Sequence, residues 1–171
     1  MLFEKHFIQD GEYWFMPNFL SEDQAVQQEI LLLNTIDWKQ EEVYVYGKKH
    51  KEPRKTAWYG NKECIYRYAG KTNHPNPWTE ALLQLKTDIE ALIPGASFNS
   101  VLLNQYRDGN DKMGWHADDE KELGINPTIA SVSLGETRRF DIKHKQNKDL
   151  HYKFEFVRTL EYPLNRGYHY Q

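Results

Sequence analysis

Five short, strand-like segments occupy the second half of the chain and limit the folds that it can adopt. Gly, Asn or Asp residues separate each segment from the next, a pattern typical of strands joined by turns. The segments are 98–106, 112–118, 128–134, 138–143 and 151–157. Two amphipathic segments precede them. Helices followed by strands predict an α+β domain with the helices braced on one side of a sheet.

Both predicted helices have recognisable starts. The capping box Ser21-Glu-Asp-Gln24 predicts a first helix over about 22–35. Asn76-Pro77 predicts the start of the second, because Asn caps helices well and Pro suits the first helical turn. Their apolar faces are predicted from the helical period to be Val26, Ile30 and Leu33 in the first helix, and Leu82, Leu85, Ile89 and Leu92 in the second, which Pro94-Gly95 ends.

Length and composition favour a single domain. A chain of 171 residues can bury a sufficient core without disulfides or metals. The single cysteine, Cys64, excludes a disulfide framework and fits a reducing compartment. The N-terminus has no signal-peptide pattern, and no apolar run approaches the length of a membrane helix. We therefore expect one domain over residues 1–171, monomeric, cytoplasmic and without a membrane or protein partner.

The charge of the chain is unevenly distributed. The formal net charge is −3, which excludes a general attraction for nucleic acid. Basic residues nevertheless concentrate in one stretch, which contains Lys48, Lys49, Lys51, Arg54 and Lys55. This basic loop predicts either a directed contact with a polyanion or an ordinary solvated loop.

A histidine and an aspartate two positions apart are the strongest chemical signal. His116 and Asp118 lie on the predicted strand 112–118, where alternate side chains project to one face. Together they supply two thirds of the 2-His-1-carboxylate triad that binds non-haem Fe(II). Asn104 and Tyr106 share a face of strand 98–106, either as a polar ligand lining or as a hydrogen-bonded interior pair.

Several motifs, in the correct order, resemble the AlkB family of Fe(II)- and 2-oxoglutarate-dependent nucleic-acid dealkylases, in particular its repair branch. The family pattern N-x-Y-x-x-G…W-H-x-D-D-E is matched by Asn104, Tyr106, Gly109, Trp115, His116, Asp118, Asp119 and Glu120. The family's I-A-S-x-S-x-G-x-x-R-x-F motif resembles segment 129–140, and its nucleotide-recognition loops resemble segments 53–60 and 66–70. The resemblance covers about residues 10–155.

The resemblance implies a distorted double-stranded β-helix, or jelly-roll, with the N-terminal helices packed outside it. It implies that His116 and Asp118 bind Fe(II) and that Asn104 and Tyr106 hydrogen-bond 2-oxoglutarate. With O2, such enzymes hydroxylate an N-methyl group on a base, and the product loses formaldehyde. The expected substrate is DNA or RNA carrying 1-methyladenine or 3-methylcytosine, single-stranded or with the base flipped out.

Further residues are expected to contact the nucleic acid. Glu120 would face the exocyclic amino edge of the base, as the resemblance implies. Aromatic residues that could stack on bases, or could simply pack in the core, are Trp58, Tyr66 and Tyr68. Cations that could grip phosphates are Arg54, Lys48 and Lys49, with Lys51 and Lys55 beside them.

The C-terminal residues depart from the family pattern. After Phe154-Glu155 neither the family's glycine-rich turn before the distal histidine nor its co-substrate arginines can be identified. His169 is the candidate third metal ligand, and His151 is a weaker one on a strand expected to be exposed. We interpret the domain as incomplete after about residue 155, with its C-terminal strands missing and its activity impaired. The alternatives are a nucleic-acid-binding remnant and an oxygenase acting on protein, which the basic loop disfavours.

Overall fold

A computed structural model of the chain describes residues 3–45, 47–68, 71–118, 127–156, 160–162 and 168–170. The elements in chain order are β1 (Glu4–Ile8), β2 (Gly11–Met16), α1 (Glu22–Thr35), β3 (Glu42–Val45), β4 (Lys48–Lys51), β5 (Lys55–Gly60), β6 (Tyr66–Tyr68), β7 (Lys71–Asn73), α2 (Glu80–Leu92), β8 (Ser100–Gln105), β9 (Ser131–Val132), β10 (Arg138–His144), β11 (His151–Phe156), β12 (Leu160–Tyr162) and β13 (Tyr168–Tyr170). All pairings between these strands are antiparallel. Neither helix in this described part of the chain is long and apolar enough to cross a membrane.

The chain divides into two compact units. The first unit comprises Met1–Leu33 and Gly114–Gln171, and the second comprises Asn34–Met113. The first contains a four-stranded sheet in the order β1-β2-β12-β9 and a three-stranded sheet in the order β11-β10-β13. The second contains three two-stranded sheets, β3-β4, β5-β8 and β6-β7.

The three-stranded sheet of the first unit is anchored by one apolar face. Ile142 in the middle of β10 is only 2% exposed, and Ile8, Phe140, Tyr152 and Phe154 pack against it. Apart from Ile8 of β1, these residues alternate with polar ones along β10 and β11, as a sheet with one apolar face requires. The opposite face of the same hairpin is therefore available for polar contacts.

The second unit is organised around the β5–β8 pair. Ala57 and Tyr59 of β5 are buried, as are Leu82 and Ile89 of α2. The Tyr59 hydroxyl accepts a hydrogen bond from the Asp37 backbone N–H at 3.1 Å. This arrangement confirms Leu82 and Ile89 as buried positions of the second helix, and it leaves the other face of β5–β8 for different contacts.

Two helix predictions need correction. The first helix has the predicted bounds and capping box, with Gln24 N–H donating to Ser21 Oγ at 3.3 Å. Its predicted inner face is wrong, because Val26, Ile30 and Leu33 are 48%, 56% and 42% exposed. Its buried residues are Ala25 and Leu32.

The second helix begins at Glu80 with Thr79 as its N-cap, so the predicted start at Asn76-Pro77 is wrong. The backbone N–H of Asn76 donates to the carbonyl of Trp58 at 2.8 Å, and Gly60 N–H donates to the Asn76 carbonyl at 3.0 Å. Asn76 is therefore extended alongside β5. A residue held in that bridge cannot serve as a helix cap.

The predicted order of elements is also wrong. Among the described residues, strands β1 and β2 precede the first helix, and five strands lie between the two helices. The predicted strand 112–118 is absent, since within these described residues only His116 forms an isolated bridge. The other four predicted strands correspond to β8, β9, β10 and β11, although β9 has only two residues.

Candidate metal and substrate site

His116 and Asp118 lie side by side in an irregular segment of the first unit. His116 Nε2 is 3.6 Å from Asp118 Oδ1, and the side chains are 28% and 34% exposed. Adjacent ligands of an octahedral first-row metal lie about 3 Å apart, since metal–ligand distances are about 2.1 Å. The two side chains are therefore spaced so that a small adjustment would let them share one metal ion.

The other nitrogen of the imidazole favours the same use. His116 Nδ1 is 3.0 Å from the carbonyl oxygen of Gly114. A carbonyl can only accept a hydrogen bond, so Nδ1 is the donor in this contact, and Nε2 is the nitrogen that could bind a metal in the neutral imidazole. Metal-binding histidines commonly have such a backbone partner, which fixes both the tautomer and the orientation of the ring. The donor set thus fits a divalent metal.

The third ligand is not identified among the described side chains. Within the described ranges no group of three His, Cys, Asp or Glu residues is placed to hold a metal ion. The side chain of His169 lies outside the described part, although its backbone belongs to β13 and pairs with Lys143 of β10. His151 Nε2 lies 3.4 Å from Asp141 Oδ2 instead.

Trp115, directly before His116, contacts the β10–β11 hairpin. The Lys143 ammonium lies 4.2 Å from the centre of the indole. The His151 ring meets it edge-on at 5.7 Å. Sequence reasoning missed these contacts because they depend on the register that places Lys143 opposite His151.

Asn104 lies in β8 of the second unit, and Tyr106 follows the end of that strand. Asn104 is opposite Thr56 of β5, and Leu102 is opposite Trp58, so these four side chains share one face of the pair. Asn104 Oδ1 is buried without a hydrogen-bond partner. An orphaned buried polar atom costs about 1–3 kcal/mol, so this position fits a polar ligand better than a satisfied interior.

The loop after Tyr106 is rigidly tied. Asp111, which is 5% exposed, receives a two-pronged contact from the Arg107 guanidinium at 2.7 and 2.8 Å. The hydrogen bond that Arg107 donates to Asp111 raises the pKa of Arg107, with a smaller contribution from the negative charge of Asp111. Asp108 Oδ1 accepts from the backbone N–H of Asn110 at 2.7 Å. These contacts fix the backbone between Tyr106 and Lys112.

The predicted phosphate contacts differ in exposure. Arg54 is only 13% exposed and pairs with Glu52 at 3.3 Å. Lys48 and Lys49 lie on the exposed strand β4. Lys49 forms an ion pair with Glu42 of β3.

An exposed aromatic accompanies these lysines. Tyr44 is opposite Lys49 in the β3–β4 hairpin and is 74% exposed. Sequence reasoning overlooked Tyr44, although the alternation of Tyr44 with Val43 and Val45 could have indicated an outward-facing ring. The hairpin thus presents an aromatic ring beside cations.

Three predicted residues cannot be compared with the structure in full. Tyr66 and Tyr68 lie on β6, opposite Asn73 and Lys71 of β7, but their side chains lie outside the described part. Glu120 lies outside the described residues altogether. Their roles stay predictions.

Comparison with known proteins identifies similar sequences. A family model described as the 2OG-Fe(II) oxygenase superfamily matches residues 12–167. The Bos taurus "Alpha-ketoglutarate-dependent dioxygenase alkB homolog 3" is 39% identical over 152 residues, covering 88% of this chain and 52% of that relative. The Bos taurus "DNA oxidative demethylase ALKBH2" is 44% identical over 109 residues, covering 64% of this chain and 39% of that relative. The human protein of the latter name is 42% identical over 106 residues. The chain spans about half the length of the curated relatives it matches, or less.

Proposed function

Because the chain belongs to the 2OG-Fe(II) oxygenase superfamily, we propose that it removes N-methyl groups oxidatively from bases in DNA or RNA. The resemblance to AlkB proteins is confirmed by the relatives that it matches. Enzymes of this superfamily use Fe(II), 2-oxoglutarate and O2, which supply the oxidising power for hydroxylating a methyl group. The hydroxymethylated base then loses formaldehyde, and the co-substrate leaves as succinate and CO2. Two relatives whose names specify DNA demethylation support a nucleic-acid substrate.

The observation that carries the proposal is the geometry of His116 and Asp118. Their Nε2 and Oδ1 atoms are 3.6 Å apart, and the contact of Nδ1 with the Gly114 carbonyl makes Nε2 the nitrogen that would bind a metal. Two protein ligands bind iron weakly, so a third is expected. We propose His169 for this role, since its strand β13 joins the same three-stranded sheet that contacts Trp115.

We propose that Asn104 and Tyr106 bind the carboxylate groups of 2-oxoglutarate. The orphaned Asn104 Oδ1 supports this role, because a 180° rotation of the amide would place its NH2 donors there instead. A charged acceptor bonded by an amide donor forms a charge-assisted hydrogen bond, which is stronger than one between neutral groups. The co-substrate would thus satisfy a site that the free protein leaves unpaired.

For the nucleic acid we propose stacking by Trp58 and phosphate contacts by Lys48 and Lys49. Trp58 shares its sheet face with Asn104, and both lysines are exposed on β4. Tyr66, Tyr68 and Glu120 keep the roles implied by the resemblance: two stacking rings and a carboxylate at the amino edge of the base. A jelly-roll with external helices, which is the architecture implied by the family, stays part of this proposal, as does the extent of the domain after residue 155.

A two-part assay tests the proposal. Succinate and formaldehyde would be measured with the full chain, Fe(II), 2-oxoglutarate and an oligonucleotide containing 1-methyladenine or 3-methylcytosine. Binding of Mn(II) would be measured separately under anaerobic conditions. We expect His116→Ala and Asp118→Ala to abolish both turnover and Mn(II) binding. The control is His74→Ala, which replaces an exposed histidine of the second unit and should change neither.

Two results would contradict the proposal. Full turnover by His116→Ala would exclude this histidine as a ligand. Oligonucleotide binding by a wild-type chain that holds no metal and releases no succinate would favour the nucleic-acid-binding alternative. If the proposal holds, reversing the charges of Lys48 and Lys49 should weaken oligonucleotide binding and leave Mn(II) binding intact. If the chain is instead an oxygenase acting on protein, the same substitutions should leave its activity unchanged.

A further inference from the structure

The metal-binding segment has little regular structure of its own. Residues 112–118 form no strand, and among them only His116 makes an isolated bridge. The contact between His116 Nδ1 and Gly114 spans only two residues, so it orients the ring relative to its own backbone. A binding site requires ligands held within about 0.5 Å of their working positions. A contact with a more rigid element is therefore needed.

Trp115 provides such a contact. Lys143 and His151 are directly opposite each other on β10 and β11. Both meet the indole, the ammonium at 4.2 Å from its centre and the imidazole edge-on at 5.7 Å. A cation over an indole and an edge-to-face ring pair are both favourable arrangements. The cross-strand pair thus grips the residue adjacent to the first metal ligand.

The surroundings of His151 hold this pair in place. His151 Nε2 lies 3.4 Å from Asp141 Oδ2, and Asp141 is only 4% exposed. Arg139 Nε lies 3.1 Å from the other carboxylate oxygen, at ion-pair distance but without hydrogen-bond geometry. On the opposite face of the same strand, Ile142 is fixed in the apolar core. The hairpin is therefore a rigid base for Trp115.

We propose that Lys143 and His151 are positioning residues that act through Trp115 to hold His116 for metal binding. This inference rests on the proposed function, because it assumes that His116 binds a metal. Neither residue is assigned a contact with the reacting groups. Their effect is expected in the affinity for the metal and in the apparent KM for iron, with kcat at saturating iron retained.

The sign of the effect distinguishes positioning from simple electrostatics. Lys143 carries a positive charge that repels a divalent cation, so Lys143→Met would tighten metal binding if charge alone mattered. If Lys143 positions Trp115, the same substitution loosens binding despite the lost repulsion. Cation–π contacts of this kind correspond to about a 2- to 10-fold change in affinity.

The experiment is an anaerobic titration of the full chain with Mn(II), followed by electron paramagnetic resonance. We expect Lys143→Met and Trp115→Leu to raise the dissociation constant about 2- to 10-fold. Lys143→Arg should keep the dissociation constant of the wild type, because a guanidinium also binds an indole face. Lys153→Met is the matched control, since Lys153 is an exposed lysine of β11 that lies opposite Asp141 in the strand register. It should leave the constant unchanged or lower it.

Three outcomes would overturn the inference. Lys143→Met could bind Mn(II) as tightly as the wild type or more tightly. Lys153→Met could show the same loss, which would indicate a general effect on the hairpin. If the wild-type chain does not bind Mn(II), the proposed function fails and this inference fails with it, a result that differs from the loss of one variant's affinity.

Discussion

Replacement of Asn104 by leucine should stabilise the ligand-free protein and abolish its stabilisation by 2-oxoglutarate. The two side chains have similar size and shape, so the substitution mainly removes the polar amide. In the free protein Oδ1 of this amide is buried without a partner. A buried polar group that stays unpaired until a ligand binds destabilises the free protein, and an apolar replacement removes that cost.

The size of the effect follows from the surroundings of the amide. A buried unpaired polar group costs about 1–3 kcal/mol. Leu102, two residues away on the same face, is 53% exposed, so this face is only partly shielded and the lower end applies. About 1 kcal/mol in a chain of this length corresponds to a rise in Tm of about 2–4 °C.

The assay is thermal denaturation followed by circular dichroism, with Mn(II) present and with or without 2-oxoglutarate. Ligand binding to the native state raises the Tm of the wild type by mass action. Asn104→Leu should start from a higher Tm and show no further rise. Gln105→Met is the matched control, because Gln105 Oε1 is also buried and unpaired but lies on the opposite face of β8. It should gain stability and keep the response to 2-oxoglutarate.

Two combinations of results would refute the reasoning. If Asn104→Leu has a lower Tm than the wild type, and 2-oxoglutarate still raises this Tm by the full wild-type amount, the amide is a structural group with no role in binding the co-substrate. Loss of the response in Gln105→Met but not in Asn104→Leu would assign the co-substrate to the other face of the strand.

Two further substitutions test the structural account. The Lys86 and Phe98 hydrogen bonds lower the pKa of Glu90, so its contribution is present above the unfolded pKa of about 4.3 and is lost as the pH falls through the lowered pKa. Urea titration of Glu90→Gln should therefore show a loss of about 0.5 kcal/mol at pH 7, where this partly exposed pair is charged, and a smaller loss at pH 3; equal losses would contradict it. His144 is buried, and its Nδ1 accepts from the Asn147 backbone at 2.9 Å. His144→Ala should cost about 1–3 kcal/mol in the same titration, and an unchanged midpoint would show that this turn does not depend on the imidazole.

Local signals predicted the first helix but could not orient it. Ser21 and Gln24 determine the start through contacts three residues apart, which are visible in the sequence. The apolar stripe was assigned to the wrong side, because α1 carries apolar residues on more than one face. Leu32 is buried while Leu33 is exposed, and that choice depends on what the rest of the unit packs against the helix.

The start of the second helix illustrates the opposite limit. Asn76 and Pro77 have favourable local chemistry for a cap, yet the Asn76 backbone pairs with β5. Pairing between segments distant in sequence overrode the local preference, and Thr79 took the role of the cap. Boundaries that depend on such pairing are beyond an argument from neighbouring residues.

The proximity of His116 and Asp118 was predictable for a different reason. His116 and Asp118 are only two residues apart, so they stay close even though the predicted strand around them is absent. The contacts of Trp115 required knowledge of which residues face each other on β10 and β11. The closeness of these two side chains could therefore be predicted from the sequence, whereas the contacts that support them could not.

Exposure also separates the cations that the sequence grouped together. Arg54 is 13% exposed and paired with Glu52, and the adjacent carbonyl of Pro53 accepts a hydrogen bond from the Lys112 backbone at 2.9 Å. A guanidinium in this position must break an existing ion pair before it can reach a phosphate. Lys48, exposed on β4, has no such contact to give up in the described part of the chain. Phosphate binding is thus expected to depend more on Lys48 than on Arg54. Arg54 instead fixes the base of the segment that leads into β5.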